Sequence, residues 1–339
     1  MIDYDIRYEF KYADVSDIDR IMMFINDNWK SGHILSKNRE LFEYEFLKES
    51  GEVNFLLAVD KEKETIEGVI GFLETAYHQD ATDIWTSIWK VKEGNMLFLG
   101  VELQRRLESK KGIRYVMGIG DNPATSARIL KKKFGRNIIK MKHYYILSDC
   151  EQFYIAKVLH RDKAYNIRNT NKDFFEISSI EQLTEMINFN NYYDVVPQKN
   201  SLYYEKRFFK HPIYNYKIFA IRDNDDVGAF FVVREQKCND RKILRVVDYF
   251  GEEKLIEDMG IWLKKKIDIE NYEYADFLCY GFDHTFFING GFSLLKEDDD
   301  NIIPDYFSPF EQRNVDILCD YPNVNIRICK ADGDQDRPN

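Results

Sequence analysis

The chain repeats one arrangement of elements. Val53–Glu74 (VNFLLAVDKEKETIEGVIGFLE) reads as an apolar strand, a charged turn and a second strand, and Tyr216–Glu235 (YKIFAIRDNDDVGAFFVVRE) reads the same way. Ile113–Gly135 (IRYVMGIGDNPATSARILKKKFG) is answered by Tyr274–Phe292 (YADFLCYGFDHTFFINGGF): a buried strand, a Gly, a short helix and a closing Gly. The landmarks Phe55 and Ile119 lie 64 residues apart, and Phe219 and Tyr280 lie 61 apart. Unlike sequences at equal spacing imply two copies of one fold, not a short-period solenoid. Such a pair is expected to form a cleft between its halves, where substrates bind.

The 339 residues suit two domains of about 150 residues each. We expect a first copy over 1–150, a linker over 151–173 and a second copy over 174–339. Hydrophobic residues make up 44% of the chain and aromatic residues 15%, enough to fill two cores. The 22 Tyr and 25 Phe are read chiefly as core, with some Tyr available as flat faces with a hydroxyl for a sugar or nucleotide. A net charge of −10 without a basic stripe argues against a nucleic-acid partner. Lys110–Lys111 and Lys131–Lys133 fall at helix ends, where cations complement the dipole; they are also placed to meet nucleotide phosphates. Five scattered Cys without CxxC spacing, no leader and no apolar run near 18 residues point to a reduced cytoplasm and no membrane span. Six scattered His argue against a metal site.

Along the first copy, periodicity predicts a strand at 7–12 and a helix after the capping residues Asp14, Ser16 and Asp17. A second helix over 38–48 and the hairpin 53–74 follow, then a strand over 83–91, a helix over 96–110 and a strand over 113–119. A helix over 123–134 and a strand over 138–147 close the copy. The second copy reads as helices at 179–189 and 202–209, a central strand at 243–251, a helix at 253–267 and a strand at 274–280. This order is mixed α/β, with mostly antiparallel sheets flanked by helices, not regular βαβ winding. The acidic run Glu297–Asn301 reads as a solvated loop.

The order resembles the GNAT superfamily of acyl-CoA-dependent N-acyltransferases. It is similar to tandem bacterial members encoded with surface-polysaccharide enzymes, including nucleotide-sugar N-acyltransferases. GHILSKNRELFEYEF (32–46) and KADGDQDRPN (330–339) carry the latter likeness. The resemblance implies two tandem GNAT-like domains, acyl-CoA (acetyl-CoA or a longer chain) as donor, no metal, and an amine acceptor on a nucleotide-linked amino sugar. A homodimer is compatible with it. It implies a donor site on Trp89, Lys90, Val91, Lys92, Gly94, Asn95, Met96 and Gly100, where backbone N–H groups at a helix start meet a pyrophosphate, with Asn122 opening the next helix. The family's Gln/Arg-x-x-Gly-x-Gly/Ala pattern is replaced by KEGNMLFLG, and the late helical Tyr by Ile129, Leu130 and Lys131. The second copy carries Glu252 and Glu253 at the matching turn, charges that repel a diphosphate. An amino acid, peptide or aminoacyl-tRNA acceptor, and a non-catalytic binding module, remain alternative readings.

Amide formation from a thioester needs an unprotonated amine, orientation, a donor for the oxyanion and a fate for the thiolate. Trp89–Val91 offer backbone donors. His284 and His33, each beside a Gly-containing turn, are the candidate bases, and His143 reads as core. His33, Tyr249, Asp283, Asp332, Asp334, Asp336 and Arg337 are the expected acceptor contacts, with the tail folded onto the substrate. The competing expectation is that so polar a chain end frays.

Overall fold

Strands apolar at nearly every position can be stable only when both faces are covered, and Glu52–Asp60 is such a strand, buried at eight of its nine positions. In the computed structural model, which describes residues 3–77, 80–161, 169–192 and 194–338, it forms part of a seven-stranded sheet. The first unit comprises residues 1–139, 318–324 and 337–339. Its elements are β1 (Tyr8–Asp14), α1 (Ile18–Asn28), α2 (Ile34–Lys37), α3 (Arg39–Phe46), β2 (Glu52–Asp60), β3 (Ile66–Glu74), β4 (Thr82–Val91), α4 (Leu99–Glu108), β5 (Ile113–Ile119), α5 (Ser126–Phe134), β6 (Asn137–Lys140) and β14 (Leu318–Tyr321). The strand order is β1-β2-β3-β4-β5-β14-β6.

The period of two along β2 divides the core of this unit. Phe55 and Leu57 join Ile18, Ile21, Phe24 and Phe42 of α1 and α3 on one face. Leu56 and Ala58 join Leu99, Leu103 and Leu107 of α4 on the other. Asp14 and Asp17 make a capping box before α1, and Asn38 caps α3 by accepting from the Leu41 N–H.

The second unit comprises residues 140–317 and 325–336. It holds β7 (Lys142–Leu147), β8 (Asp173–Ile177), α6 (Ile180–Met186), α7 (Ser201–Tyr204), β9 (Lys217–Asp223), β10 (Asp226–Cys238), β11 (Arg241–Gly251), α8 (Ile256–Ile269), β12 (Tyr274–Tyr280), α9 (His284–Asn289), β13 (Ser293–Leu294) and β15 (Ile328–Cys329). Its sheet runs β13-β7-β12-β11-β10-β9-β8, with β15 added on β12. One face packs Met259, Leu263 and Ile267 of α8 against Phe231, Val246 and Phe277. The other packs the rings of Phe189, Tyr204, Phe230 and Phe250 together, Tyr204 edge-on to Phe230 and Phe230 stacked on Phe250.

Two strands depart from the sequence reading. The stretch 138–147 is two strands, and the second, β7, pairs along β12 from Tyr274↔Leu147 to Cys279↔Lys142. Its four central residues are buried and require a neighbour on each side. The first sheet takes β14 instead, with Cys319↔Ile119 and Asp320↔Gly118. The expected linker is only partly a connection: residues 162–168 lie outside the described residues, but Ile155 and Ala156 are buried, and the Glu273 carboxylate accepts their N–H groups at 2.8 and 3.3 Å.

The C-terminal segment is threaded into the second sheet. Strands β11 and β12 run parallel through Leu244↔Ala275 to Val246↔Phe277 and then part. Residues 326–332 fill the parting. Ile328 and Cys329 pair with Tyr280 and Cys279, and the Ala331 N–H donates to Val247 O at 2.8 Å. Gly281, at φ +87°, lets the segment pass: a Cβ there would lie 1.8 Å from Ile326 O. Buried ions hold the thread. Lys199 lies 2.8 Å from both Asp248 and Asp332, and Arg207 donates to Ala331 O. Arg234 forks onto Asp336, which also accepts from Tyr216 Oη at 2.8 Å. Burial raises the Asp248 carboxyl to about 6, against the pull of Lys199. Burial pushes the Asp336 carboxyl up, but the charge and hydrogen bond of Arg234, with the charges of Arg207 and Lys330, together hold it far below the ordinary range.

Four outcomes test this packing. Gly281→Val should destabilise the protein by roughly 3 kcal/mol or more in urea unfolding, since it adds strain at positive φ to a backbone clash. Asp336→Ala leaves the Arg234 guanidinium buried without its partner and should cost about 3–5 kcal/mol; deletion of 332–339 should abolish cooperative melting, where a frayed end would leave it unchanged. His211 is pushed down to about 3 by burial and then by the Arg207 charge, while its Nδ1 accepts from the Ile213 and Tyr214 N–H groups. The unfolded chain therefore binds the proton first, and stability should fall as pH drops from about 6.5 toward 3. In His211→Gln that part of the urea stability profile should be flatter.

Candidate functional site

The same parting of parallel strands occurs in the first unit. Strands β4 and β5 pair at Thr82↔Ile113, Ile84↔Val116, Trp85↔Met117 and Thr86↔Gly118, and no further. At that point β4 also bulges against β3. Phe72 faces Thr86 and Ile70 faces Trp89, so Ser87 and Ile88 stand opposite Gly71 alone. A bulge bends its strand and re-aims its side chains. Ile88 turns into the core beneath α1–α3, and the ladder between β4 and β5 ends at Thr86. Ser87 Oγ accepts from Arg337 at 2.9 Å, and Arg337 forks onto Glu45 of α3 at 2.6–3.0 Å.

The turn after β4 is fixed from below. The Lys92 N–H donates to Glu67 O, and Asn95 Nδ2 donates to the carbonyls of Glu67 and Lys92, both at 2.8 Å. Gly94 sits at φ +79° with open space where a Cβ would lie. Met96 packs against the core under α4, and Trp89 Nε1 donates to Gly100 O at 3.1 Å. Helix α4 starts at Leu99 without a side-chain cap, after Phe98 at φ +64°. The Leu99 N–H donates back to Met96 O at 3.2 Å and the ladder starts with Glu102 N–H on Phe98 O, so the N–H groups of Gly100 and Val101 are the ones without an intrahelical acceptor. Beside it is an open groove of about 760 Å³ lined by Phe98, Val101, Arg105, Arg106 and Lys133 together with Asp3, Tyr4, Asp5 and Glu102. Arg105 and Arg106 pair with Glu102, and Arg106 also with Asp5. Lys133 lies over the Phe98 ring at 5.5 Å and has no carboxylate partner among the described residues.

The structure thus brings Trp89, Lys90, Val91, Lys92, Gly94, Asn95, Met96 and Gly100 together on one strand end, turn and helix start. Asn122 holds the turn after β5, its Oδ1 accepting from the Ala124 N–H at 2.9 Å, and α5 begins at Ser126, later than the sequence suggests. His33 caps α2: its Nδ1 accepts from the Leu35 N–H, so the neutral ring carries its proton on Nε2 and offers no basic nitrogen while it caps. His284 is exposed, with Nδ1 3.1 Å from Tyr144 Oη. Asp283 caps α9, and its hydrogen bonds from Thr285 lower its carboxyl. Tyr249 is buried and donates to Glu252 O at 2.6 Å.

The tail residues have internal partners instead of a solvent face. Asp332 meets Lys199, Asp336 meets Arg234 and, in the first unit, Arg337 meets Glu45; Asp334 is half-buried. Arg337, expected to fork onto a nucleotide diphosphate, forks here onto the Glu45 carboxylate.

Sequence reasoning missed Asp320, which is 2% exposed on β14. Its carboxylate lies 3.8 Å from Arg136 Nε, and Arg136 donates to Glu108 at 2.5 Å. Burial and then the charge of Asp121 push its carboxyl well above the ordinary range, against the pull of Arg136. The short run ILCDY before Pro322 was the available signal. Among the described residues no group of three His, Cys, Asp or Glu could hold a metal, and no helix is long and apolar enough to cross a membrane.

No family model and no curated protein sequence matches the chain. Solved structures do. A GCN5-related N-acetyltransferase from Anabaena variabilis matches with a TM-score of 0.55 at 8% identity, over 92% of this chain and 72% of that one. A probable N-acyltransferase of Enterococcus faecalis matches with a TM-score of 0.56 at 6% identity, over 92% and 72%. N-myristoyltransferase of Saccharomyces cerevisiae, solved with bound myristoyl-CoA and inhibitors, matches at 0.47 and 10% identity, over 93% and 80%. With two mostly antiparallel sheets, each parting between its central parallel strands, the chain carries two tandem copies of the fold of the GCN5-related N-acetyltransferases.

Proposed function

We propose that the first unit binds acyl-CoA between β4 and β5 and transfers the acyl group to an amine, with a nucleotide-linked amino sugar as the acceptor. The observation that carries this reading is the end of pairing at Thr86↔Gly118, followed directly by a glycine turn and an uncapped helix start. Main-chain groups on β4 beyond Ser87 suit the oxyanion of a tetrahedral intermediate. The α4 N-terminus suits a pyrophosphate, and Lys133 with the Phe98 ring suits a phosphorylated nucleoside. Holding thioester and amine together contributes on the order of 7–11 kcal/mol. The second unit is not the donor site in this reading, because residues 326–332 occupy its parting and Glu253 is engaged by Arg327. The net charge of −10 favours a cationic amine over a polyanion such as tRNA.

Calorimetry with acetyl-CoA should show one saturable site per chain. Gly94→Asp adds a carboxylate and a side chain at positive φ, and should weaken that binding by tenfold or more; the open space at its Cβ makes charge and backbone strain the cause, not a clash. Unchanged affinity would remove the turn from the site. Thiol release measured across UDP- and dTDP-linked amino sugars, with free amino acids and peptides as the contrast, decides the acceptor: release only with the latter would sink the amino-sugar assignment, and absent CoA binding would leave a binding module.

A further inference from the structure

When the C–S bond of a thioester breaks, sulfur keeps the electron pair and needs a proton. Helix α5 (SARILKKKF) carries no Tyr, Cys, His or carboxylic acid to supply one. The foot of the parting in the first unit does. Thr86 and Gly118 form the last β4–β5 pair, and Asp320 faces Gly118 from the other side of β5. Ile84 and Val116, two residues back on each strand, pack under α4, so Thr86 and Gly118 address that same face. A Cβ on Gly118 would lie 2.0 Å from Asp320 Oδ2 and 3.3 Å from Thr86 Oγ1. The carboxyl therefore leans across bare backbone toward the point where the strands separate, in a space that any other residue at 118 would fill.

Resting on the acyl-CoA reading above, we propose that Asp320 is the proton donor to the thiolate that leaves the tetrahedral intermediate in the first unit. The amine nitrogen bonds to the acyl carbon, and the C–S electron pair passes to sulfur. Sulfur takes the proton of Asp320, giving free CoA thiol. The proton lost by the amine nitrogen returns through solvent to the Asp320 carboxylate, so the amide leaves neutral and the carboxyl is restored. The groups around Asp320 favour its protonated form. Asp121, on the turn after β5, hydrogen-bonds to it and adds negative charge, and Glu108 at the end of α4 adds more. Arg136, following α5, opposes them from 3.8 Å and shares its charge with Glu108.

The test is thiol release from acetyl-CoA by the full chain, with the amino-sugar nucleotides above and hydroxylamine as a small general nucleophile. Asp320→Asn, close in shape, should keep acetyl-CoA affinity and lower kcat by about 10²–10⁴-fold. Wild-type kcat should fall as pH rises through the Asp320 titration; that limb should be missing in Asp320→Asn and displaced to lower pH in Asp121→Asn, which removes a neighbouring charge. A purely structural carboxyl would not move that limb, and the Asp121 variant decides the matter if Asp320→Asn does not fold. Undiminished kcat in Asp320→Asn, or a superimposable profile in Asp121→Asn, overturns the assignment while leaving the acyltransferase reading intact. Absent acetyl-CoA binding, or thiol release with none of these nucleophiles, overturns both.

Discussion

Two parallel strands that start in register and then diverge leave backbone N–H and C=O groups facing each other across a widening gap. Buried main-chain groups of this kind must find partners. Both units of the chain are organised by that requirement. In the second, the protein supplies the partner itself: β15 pairs with the end of β12 and Ala331 reaches Val247 on β11. Lys199, Arg207 and Gly281 are explained by this thread, two by anchoring it and one by giving it room. In the first, the corresponding edge of β4 lies beside a turn and helix start rich in main-chain donors. One duplicated fold thus serves two ends, a structural seam in one copy and a proposed donor site in the other.

The ion pairs of the second unit carry more charge than its core can hold unpaired. Arg245 is 1% exposed by its side chain and meets both Asp276 and Asp305, while Lys330 also meets Asp305 and His143 meets Asp276 at 3.0 Å. Burial pushes the Asp276 carboxyl up, but Arg245 and His143, by charge and hydrogen bond together, lower it to about 2. Such networks seldom add net stability over apolar packing, yet removing a single member leaves a bare charge. They fix geometry, since a network of this kind tolerates few alternative registers for β11, β12 and the thread.

The duplication was legible from sequence because apolar runs, turns and glycines recur at matching intervals, and those signals are local. Helix caps at Asp14 and Asn38 and the hairpin at 53–74 were legible for the same reason. What could not be read was where a strand finds its neighbour. The KHYYIL run is plainly a strand, but nothing in it distinguishes β5 from β12 as a partner. Four-residue β14 left only the short run ILCDY as a signal, because its pairing partners Ile119 and Gly118 lie some 200 residues away in sequence. The tail was misread for a related reason. A run of Asp and Arg reads as solvated or ligand-bound until Lys199, Arg234 and Glu45 are brought to it by the fold.

The placement of β14 bears on how the molecule is made. A ribosome releases the first copy's own sequence long before residues 318–321, yet the first sheet lacks one of its inner strands until they arrive. During most of synthesis β5 therefore presents an unpaired edge, the kind of surface on which chains aggregate. Cutting the gene at the apparent midpoint would make that interval permanent, and it would also strip the second sheet of β7. The halves share one arrangement of elements, but each sheet takes a strand from the other half's stretch of sequence.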